Sequence, residues 1–201
     1  FNTFEHWTLF GQIVILILIQ IGGLGFMTII SVITWIVNKS IDLYGKSVLM
    51  QSAGTYSFGD VRPLLKRILI GTFIFETIGA ILISVFLYPT YGAVGIYYGL
   101  FTSISAFCNA GFDLMGEKAQ FSSLTSYAAQ PVINVVIMML IITGGIGFLT
   151  WEDIAVNKWH IRKYRMQTKA ILLVTSMLIV FPAVYFYFCE FSKGIWSGCS
   201  A

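Results

Sequence analysis

The amino-acid sequence predicts an all-α, polytopic membrane protein made of repeated helix–loop–helix units, with a re-entrant segment inside the unit. Three observations predict this class: long apolar runs, basic residues gathered in two clusters, and a glycine-rich motif that occurs twice. The chain of 201 residues is 57% hydrophobic and only 10% charged, whereas soluble domains carry about 25% charged residues. The uncharged residues form a few long runs, which is typical of membrane helices.

Four apolar runs are long enough to cross a bilayer, which takes roughly 20 residues. They predict helices over about residues 11–37, 64–88, 126–150 and 168–189. Between Ile68 and Tyr88 the only charged residue is Glu76. Short alternating strands, which a membrane β-barrel needs, do not occur in the sequence.

The basic residues predict the topology, because Lys and Arg collect in short cytoplasmic loops. Ten of the 12 fall in two clusters, which place segments 39–67 and 152–169 in the cytoplasm. Loops that are merely solvated, or a patch that binds lipid headgroups, are the alternative explanations. The clusters are Lys39, Lys46, Arg62, Lys66 and Arg67, and then Lys158, Arg162, Lys163, Arg165 and Lys169.

A further uncharged segment, Tyr91 to Phe112, lies between the second and third predicted helices. A full crossing here would move the second basic cluster outside, so the segment should enter and leave on the same face. A helix over Gly95–Phe107 would be about 20 Å long, shorter than a hydrocarbon core of roughly 30 Å. Irregular backbone at that depth is tolerated where it is buried in protein or lines a watery cavity. We therefore expect Cys108–Leu114 to form an extended return strand facing a pore, with a plain turn between helices as the alternative.

The motif Gly-Gly-x-Gly-Phe-x-Thr occurs at residues 22–28 and again at residues 144–150. When residues 12–28 are aligned with residues 134–150, nine of 17 positions are identical. Small residues let helices and loops approach closely, so the first and third predicted helices are expected to be equivalent elements of two repeats. Because the chain opens on Phe1 without an initiator Met, we expect it to be an internal part of a longer protein.

Three stretches, SAFCNAGFDL (105–114), QIGGLGFMT (20–28) and TGGIGFLTWEDI (143–154), resemble the Trk/Ktr/HKT superfamily of potassium transporters. The resemblance is closest to its KtrB-type bacterial membrane subunit and covers essentially the whole chain. It implies four M1–P–M2 repeats in one chain, in which M1 and M2 are transmembrane helices and P is a re-entrant pore helix with a filter loop. The first, third and fourth filters, and the gating loop of the third repeat, fall outside these residues.

On this scheme the chain divides into five parts. Residues 1–38 are the M2 helix of one repeat, and residues 64–151 are a complete repeat with its pore loop at about 92–117. Residues 168–201 are the M1 helix of the next repeat and an outer segment. Residues 39–63 and 152–167 are the cytoplasmic basic loops.

The resemblance also implies a site and partners. Gly111 matches the filter glycine, Asn109, Ala110 and Phe112 match its neighbours, and K⁺ would be held by the backbone of Asn109, Ala110 and Gly111. The carbonyl of Gly111 can turn toward the lumen because glycine permits backbone angles that are forbidden to other residues. Rings of such carbonyls can replace an ion's hydration shell. Expected partners are membrane lipid, a second copy in a homodimer, and cytosolic nucleotide-binding subunits from separate chains, without nucleic acid. No cofactor is expected in this chain; K⁺ is the transported ion, and coupling to Na⁺ is left open.

Two sets of acidic residues are further candidates. Glu76 lies within an apolar helix, where a carboxylate is costly and is a functional hypothesis by default. We favour a structural role for it, as an acceptor for pore-loop groups that holds the filter in place. Asp113 and Glu117 follow the filter on the outer face, where they would concentrate cations at the mouth or form a merely solvated rim.

The sequence thus predicts the pore-forming subunit of a potassium uptake system in the plasma membrane, with a carbonyl-lined filter. No nucleophile with a neighbouring base and no paired catalytic carboxylates occur, so an enzyme is not expected. One alternative is a secondary transporter that binds its substrate at a broken helix near the midplane; it predicts inverted repeats. The other is a membrane scaffold, which needs no polar re-entrant loop.

Overall fold

The computed structural model describes residues 3–25, 61–117, 123–158 and 160–191, and all regular elements in these ranges are helical. The predicted all-α class is confirmed. Residues 39–60 of the first basic loop and the end of the outer C-terminal segment lie outside the described residues, whereas residues 61–63 already belong to a helix. The helices are α1 (Thr3–His6), α2 (Leu9–Leu24), α3 (Val61–Tyr91), α4 (Val94–Phe107), α5 (Pro131–Ile146), α6 (Phe148–Asn157) and α7 (Met166–Phe186), with 3₁₀ turns at Met115–Glu117, Thr125–Tyr127 and Ile161–Lys163 and a π-helical turn at Tyr187–Phe191.

The chain forms two compact units, residues 1–148 and 149–201. Among the described residues, two stretches are helical, long and apolar enough to cross a membrane: Lys66–Tyr91 and Met166–Cys189. A third span results if Pro131–Ile146 and Thr150–Asn157 are taken together across their break. Helices α2 and α4 are apolar but shorter. The crossings predicted over 64–88 and 168–189 therefore correspond to α3 and α7.

Two glycines interrupt helices that the sequence predicts to be continuous. Helix α2 ends at Leu24 and α5 ends at Ile146, because the next residues, Gly25 and Gly147, have φ angles of 80° and 88°. A right-handed helix cannot continue through that region of backbone space. The prediction of uninterrupted helices over 11–37 and 126–150 is thus wrong at these points; residues 26–37 themselves lie outside the described part of the chain.

The two interruptions lie at equivalent places in the repeat. Helices α2 and α5 both have 16 residues. Aligning the two glycine motifs also brings the first and last residues of both helices into register. The repetition seen in the sequence is therefore also a repetition of backbone conformation, down to the positive φ of the third glycine.

Helices α3 and α4 form an antiparallel hairpin that turns at Gly92, whose φ is 60°. Along α4, Gly95 contacts the backbone of Leu87, and Gly99 contacts Ser84. Further along, the Ser103 hydroxyl donates to the carbonyl of Glu76 at 2.8 Å. The partners on α3 step backwards as α4 advances, so α4 returns along roughly half of α3.

The buried core of the first unit lies where α4 meets its neighbours. Large side chains with at most 1% exposure come from α3, α4, α5 and the segment after α4. They are Ile83, Leu87, Phe101, Leu114 and Ile133. This packing holds the short helix α4 and the residues after it in place.

In the second unit a buried carboxylate organises the basic loop between α6 and α7. Asp153 is 5% exposed. Its two oxygens accept hydrogen bonds from Asn157 Nδ2 at 2.7 Å and from the backbone N–H of Arg165 at 2.8 Å. Arg165 is the N-cap residue of α7, so Asp153 satisfies a backbone donor where that helix begins.

Candidate functional site

Helix α4 ends in a Schellman motif that explains the residue Asn109. The N–H of Ala110 donates to the carbonyl of Ser105 at 2.9 Å, and the N–H of Asn109 donates to that of Ala106 at 3.1 Å. The motif requires a left-handed conformation at the residue before Ala110, and glycine and asparagine adopt that conformation most readily. Asn109 has a φ of 54°. The end of α4 is therefore sharply defined, and the partial negative charge of the helix lies at its last turn, residues 104–107.

The chain then runs without regular structure from Ala110 to Leu114. Gly111 has a φ of 74°, and no other described atom lies within 4 Å of the position where its Cβ would be. The reason for glycine here is the backbone angle, since there is space for a side chain. The return segment predicted after α4 is thus irregular, with left-handed residues at both Asn109 and Gly111.

The segment leaves on the side where α4 entered. The turn Met115–Glu117 packs against α1. The ring of Phe4 in α1 meets the ring of Tyr98, near the start of α4, with centroids 6.2 Å apart. Tyr98 in turn contacts Tyr91 at the end of α3, at 5.2 Å. The start of α4 and the end of the return segment therefore lie at the same end of the hairpin, as a re-entrant element requires.

Two helices contact the tip of the re-entrant element, residues Phe107 and Cys108, through glycines of the repeated motif. A Cβ on Gly23 of α2 would lie 2.2 Å from Cys108 Sγ. A Cβ on Gly144 of α5 would lie 1.8 Å from the carbonyl oxygen of Phe107. Real Cβ atoms do not come so close to other atoms, so any larger residue at either position would displace the tip.

Glu76 connects three elements beneath this tip. Its side chain is 3% exposed and accepts hydrogen bonds from Gln20 Nε2 of α2 at 2.9 and 3.1 Å, one to each carboxylate oxygen. Cys108 Sγ lies 4.0 Å from Oε1, and the carbonyl of Glu76 receives the Ser103 hydroxyl. The carboxylate thus links α2, α3 and the end of α4. Sequence reasoning missed Gln20, which is hidden among apolar residues and lies 56 positions away.

A cavity of about 260 Å³ lies beside the return segment and α5. Thr102, Ser105, Asn109, Gly111 and Asp113 supply its polar lining. The hydroxyls of Thr102 and Ser105 are buried and have no hydrogen-bond partner among the described residues. Buried hydroxyls are normally satisfied, so these two, on residues that line the cavity, are unusual.

Asp113 organises the outer loop instead of projecting alone into solvent. One carboxylate oxygen accepts the N–H of Met115 at 3.0 Å, and the other accepts the hydroxyl of Ser123 at 2.9 Å. This ties the return segment to the start of the next described stretch. A role for Asp113 in concentrating cations stays a prediction, and Lys118 lies outside the described residues.

Fold and site together define a helical membrane protein in which a short re-entrant helix and an irregular loop are held between the ends of two equivalent helices. Comparison with known families agrees with this class. The family model TrkH, described as "Cation transport protein", matches residues 1–188. The chain belongs to the TrkH family, as the resemblance of its motifs implies. Because this is a family of transport proteins, the expectation that the chain is not an enzyme is confirmed.

Three relatives are similar over nearly the whole chain. The Ktr system potassium uptake protein B of Bacillus subtilis is 38% identical over 193 residues, covering 96% of this chain and 42% of the relative. The potassium/sodium uptake protein NtpJ of Enterococcus hirae is 36% identical over 190 residues, covering 94% and 41%. The Ktr system potassium uptake protein B of Vibrio alginolyticus is 33% identical over 195 residues, also covering 94% and 41%. The chain therefore spans about two fifths of the length of these relatives.

Proposed function

We propose that this chain is part of the pore-forming subunit of a potassium uptake system in the cell membrane. In this proposal Asn109, Ala110, Gly111 and Phe112 form one segment of its ion filter. One observation carries the proposal: a short buried helix ends in a Schellman motif and is followed at once by Gly111 with a φ of 74°. This irregular backbone lies at the level of Phe75, near the middle of α3, with the rings of Phe75 and Phe107 stacked at 6.5 Å.

The arrangement suits a partly dehydrated cation. Irregular backbone at membrane depth is stable where it is buried in protein or lines a watery cavity. The C-terminal end of α4 directs its partial negative charge at the same place. Carbonyls of Asn109, Ala110 and Gly111 would replace part of the hydration shell of K⁺. Because the described residues contain one such loop, the filter would be completed by three equivalent loops elsewhere in the full-length protein.

The names of the relatives favour K⁺ as the transported ion. Two of them are potassium uptake proteins of a Ktr system, and one is a potassium/sodium uptake protein. We extend this to the parent of the present chain, with coupling to Na⁺ as a variant of the same activity. A system of several components also fits the proposed homodimer and its cytosolic nucleotide-binding subunits.

The rival mechanism, a secondary transporter with inverted repeats, fits the contacts less well. The helix breaks at Gly25 and Gly147 do resemble the broken helices of such transporters. However, the C-terminal ends of α2 and α5 both approach the same tip, through Gly23 and Gly144. Both helices also run in the direction of α4, whereas equivalent helices of inverted repeats run in opposite directions across the membrane. Repeats of the same sense around a common axis account for the contacts.

The test is the substitution Gly111→Ser in the full-length protein, with Gly92→Ser as the matched control. Both glycines have positive φ angles, 74° and 60°, and at neither position does a described atom lie within 4 Å of where a Cβ would be. Each substitution should therefore cost about 1–2 kcal/mol of backbone strain, but only Gly111 lies in the proposed filter. Gly99, on the helix before the filter, is unsuitable as a control because a Cβ there would lie 2.2 Å from Ser84 Oγ.

K⁺ and Na⁺ uptake would be measured in cells without other potassium importers. We expect Gly111→Ser to weaken K⁺ uptake and to reduce its preference over Na⁺ by up to about tenfold, since 1.4 kcal/mol corresponds to a factor of ten. Gly92→Ser should keep the preference. If both variants reach the membrane and show the same ion preference as the unaltered protein, Asn109–Phe112 is only a turn.

A further inference from the structure

We propose that the two adjacent glycines of each repeated motif admit two different pore loops. The first glycine admits the loop of its own repeat, and the second admits the loop of the following repeat. Gly145 is then the docking position for the next pore loop of the full-length protein, a segment outside this chain. The inference rests on the proposed function, because it requires several pore loops around one axis.

The contact with a helix's own loop is seen in α5. Its first glycine, Gly144, is so close to Phe107 that a Cβ would lie 1.8 Å from the carbonyl oxygen and 2.9 Å from the carbonyl carbon. Its second glycine, Gly145, is open: the nearest described atom to its Cβ position is Asn109 Nδ2 at 3.8 Å. The contacts of α5 therefore account for only the first of its two glycines.

The contact with the following loop is seen in α2, the equivalent helix of the preceding repeat. Here the second glycine is the occupied one, since a Cβ on Gly23 would lie 2.2 Å from Cys108 Sγ and 2.7 Å from Cys108 Cβ. The first glycine, Gly22, has no described atom within 4 Å of its Cβ position. The pattern is the reverse of that in α5.

The two patterns are complementary because the helices are equivalent but their surroundings differ. Helices α2 and α5 have the same length and end at the same motif position. Adjacent residues of a helix point about 100° apart, so the two glycines face different neighbours. In a ring of repeats, each such helix lies between its own loop and the next one. The loop belonging to α2, and the loop that follows α5, are not among the described residues, and they correspond to the two open glycines.

The occupant of the Gly145 face is thus the residue that follows the short helix of the next pore loop, in the position that Cys108 holds in this one. The matched relatives are more than twice as long as this chain, since it covers 41–42% of each. A full-length protein of that size has room for such a loop. The competing explanation is that Gly145 faces lipid, in which case a large side chain would be accepted there.

Disulfide trapping in the full-length protein tests the proposal, in a background in which Cys189 and Cys199 are replaced. The positive control is Gly23→Cys with the native Cys108: the two Cβ positions are 2.7 Å apart, so the tip shifts by about 1 Å or more as they reach the 3.5–4.5 Å of a disulfide. The test pair is Gly145→Cys with a cysteine placed directly after the short helix of the following pore loop, in a Cys108→Ala background. The matched negative control is Thr143→Cys, on another side of α5, with the same loop cysteine.

We expect the Gly145→Cys pair to form a reducible cross-link about as completely as the positive control, and the Thr143→Cys pair to form at most a tenth as much. A cross-link in the positive control but not at Gly145→Cys would overturn the proposal. If Gly145→Cys does not accumulate, Gly145→Ala is compared with and without glycine at the facing loop position. Recovery of the folded yield by that glycine supports the proposal, and no recovery overturns it.

The outcome is separable from that of the filter assignment. Cross-linking reports which loop lies against α5, whatever ion passes. If the cross-link forms while Gly111→Ser leaves ion preference unchanged, the docking proposal stands and the filter assignment fails. If ion preference changes without the cross-link, the filter assignment stands and Gly145 faces something else.

Discussion

The hydrogen bonds between Gln20 and Glu76 join α2 to α3. Gln20 Nε2 lies 2.9 Å from Oε1 and 3.1 Å from Oε2 of the buried carboxylate. The perturbation is a double-mutant cycle in the full-length protein with Gln20→Ala, Glu76→Ala and the two combined. The cycle separates the energy of this contact from the other effects of each substitution.

The magnitude follows from the surroundings of the pair. A hydrogen bond to a charged group contributes about 1.5–3 kcal/mol to stability. Neutral polar pairs between membrane helices contribute only about 0.6 kcal/mol. The pair borders a cavity of about 220 Å³ whose lining is mostly apolar and includes Leu16, Ile17 and Phe73. Because few groups there compete for the carboxylate, we expect a coupling energy of about 1.5–3 kcal/mol.

The assay is reversible unfolding of the purified full-length protein in mixed detergent micelles. The control cycle pairs Gln20→Ala with Ser84→Ala, whose hydroxyl bonds to the carbonyl of Ile96 instead; its coupling energy should be close to zero. A coupling of only about 0.6 kcal/mol would mean that this contact is no stronger than an average polar contact between membrane helices. A value indistinguishable from that of the control cycle would refute the view that Glu76 holds α2 against the tip of α4.

Two further predictions concern the second unit and the topology. Asp153→Ala should lower the free energy of unfolding by about 1–2 kcal/mol, because it removes the acceptor for a donor at the start of α7; Val156→Ala, at a side chain that is 64% exposed, should change it by less than about 0.5 kcal/mol. In a cysteine-free background, Arg162→Cys should react with an impermeant reagent only from the cytoplasm, and Lys118→Cys only from outside. Labelling of Arg162→Cys from outside would mean that residues 91–112 cross the membrane fully.

Much of the fold follows from local signals in the sequence. The apolar runs identify α3 and α7, because the bilayer sets the length of a crossing helix. The sequence predicts the short helix α4 over Gly95–Phe107, and the helix is found over Val94–Phe107. The placement of both basic clusters on one face predicts that this helix is re-entrant, and the packing of the following turn against α1 fits that prediction. Glycine at position 111 signals a backbone angle that other residues avoid, and that angle is present.

The ends of the helices are harder to predict from the sequence, although the residues that cause them are easy to see. The glycine motif predicts close packing, yet Gly25 and Gly147 also end α2 and α5. Within membrane helices glycine is common and is compatible with both continuation and termination. Its φ angle depends on what the following residues pack against, which the local sequence does not specify.

Tertiary structure alone decided the contacts that assemble the site. The sequence determined that the chain is a helical membrane protein with repeats and a re-entrant loop, because hydrophobicity, charge and repetition are properties of the residues themselves. It did not determine that Gln20 bonds to Glu76, that Gly23 faces Cys108, or that Gly144 faces Phe107. Those pairs join segments far apart in the chain, and their closeness depends on how whole helices pack against each other. A glycine shows that something can approach; only the packed structure shows what does.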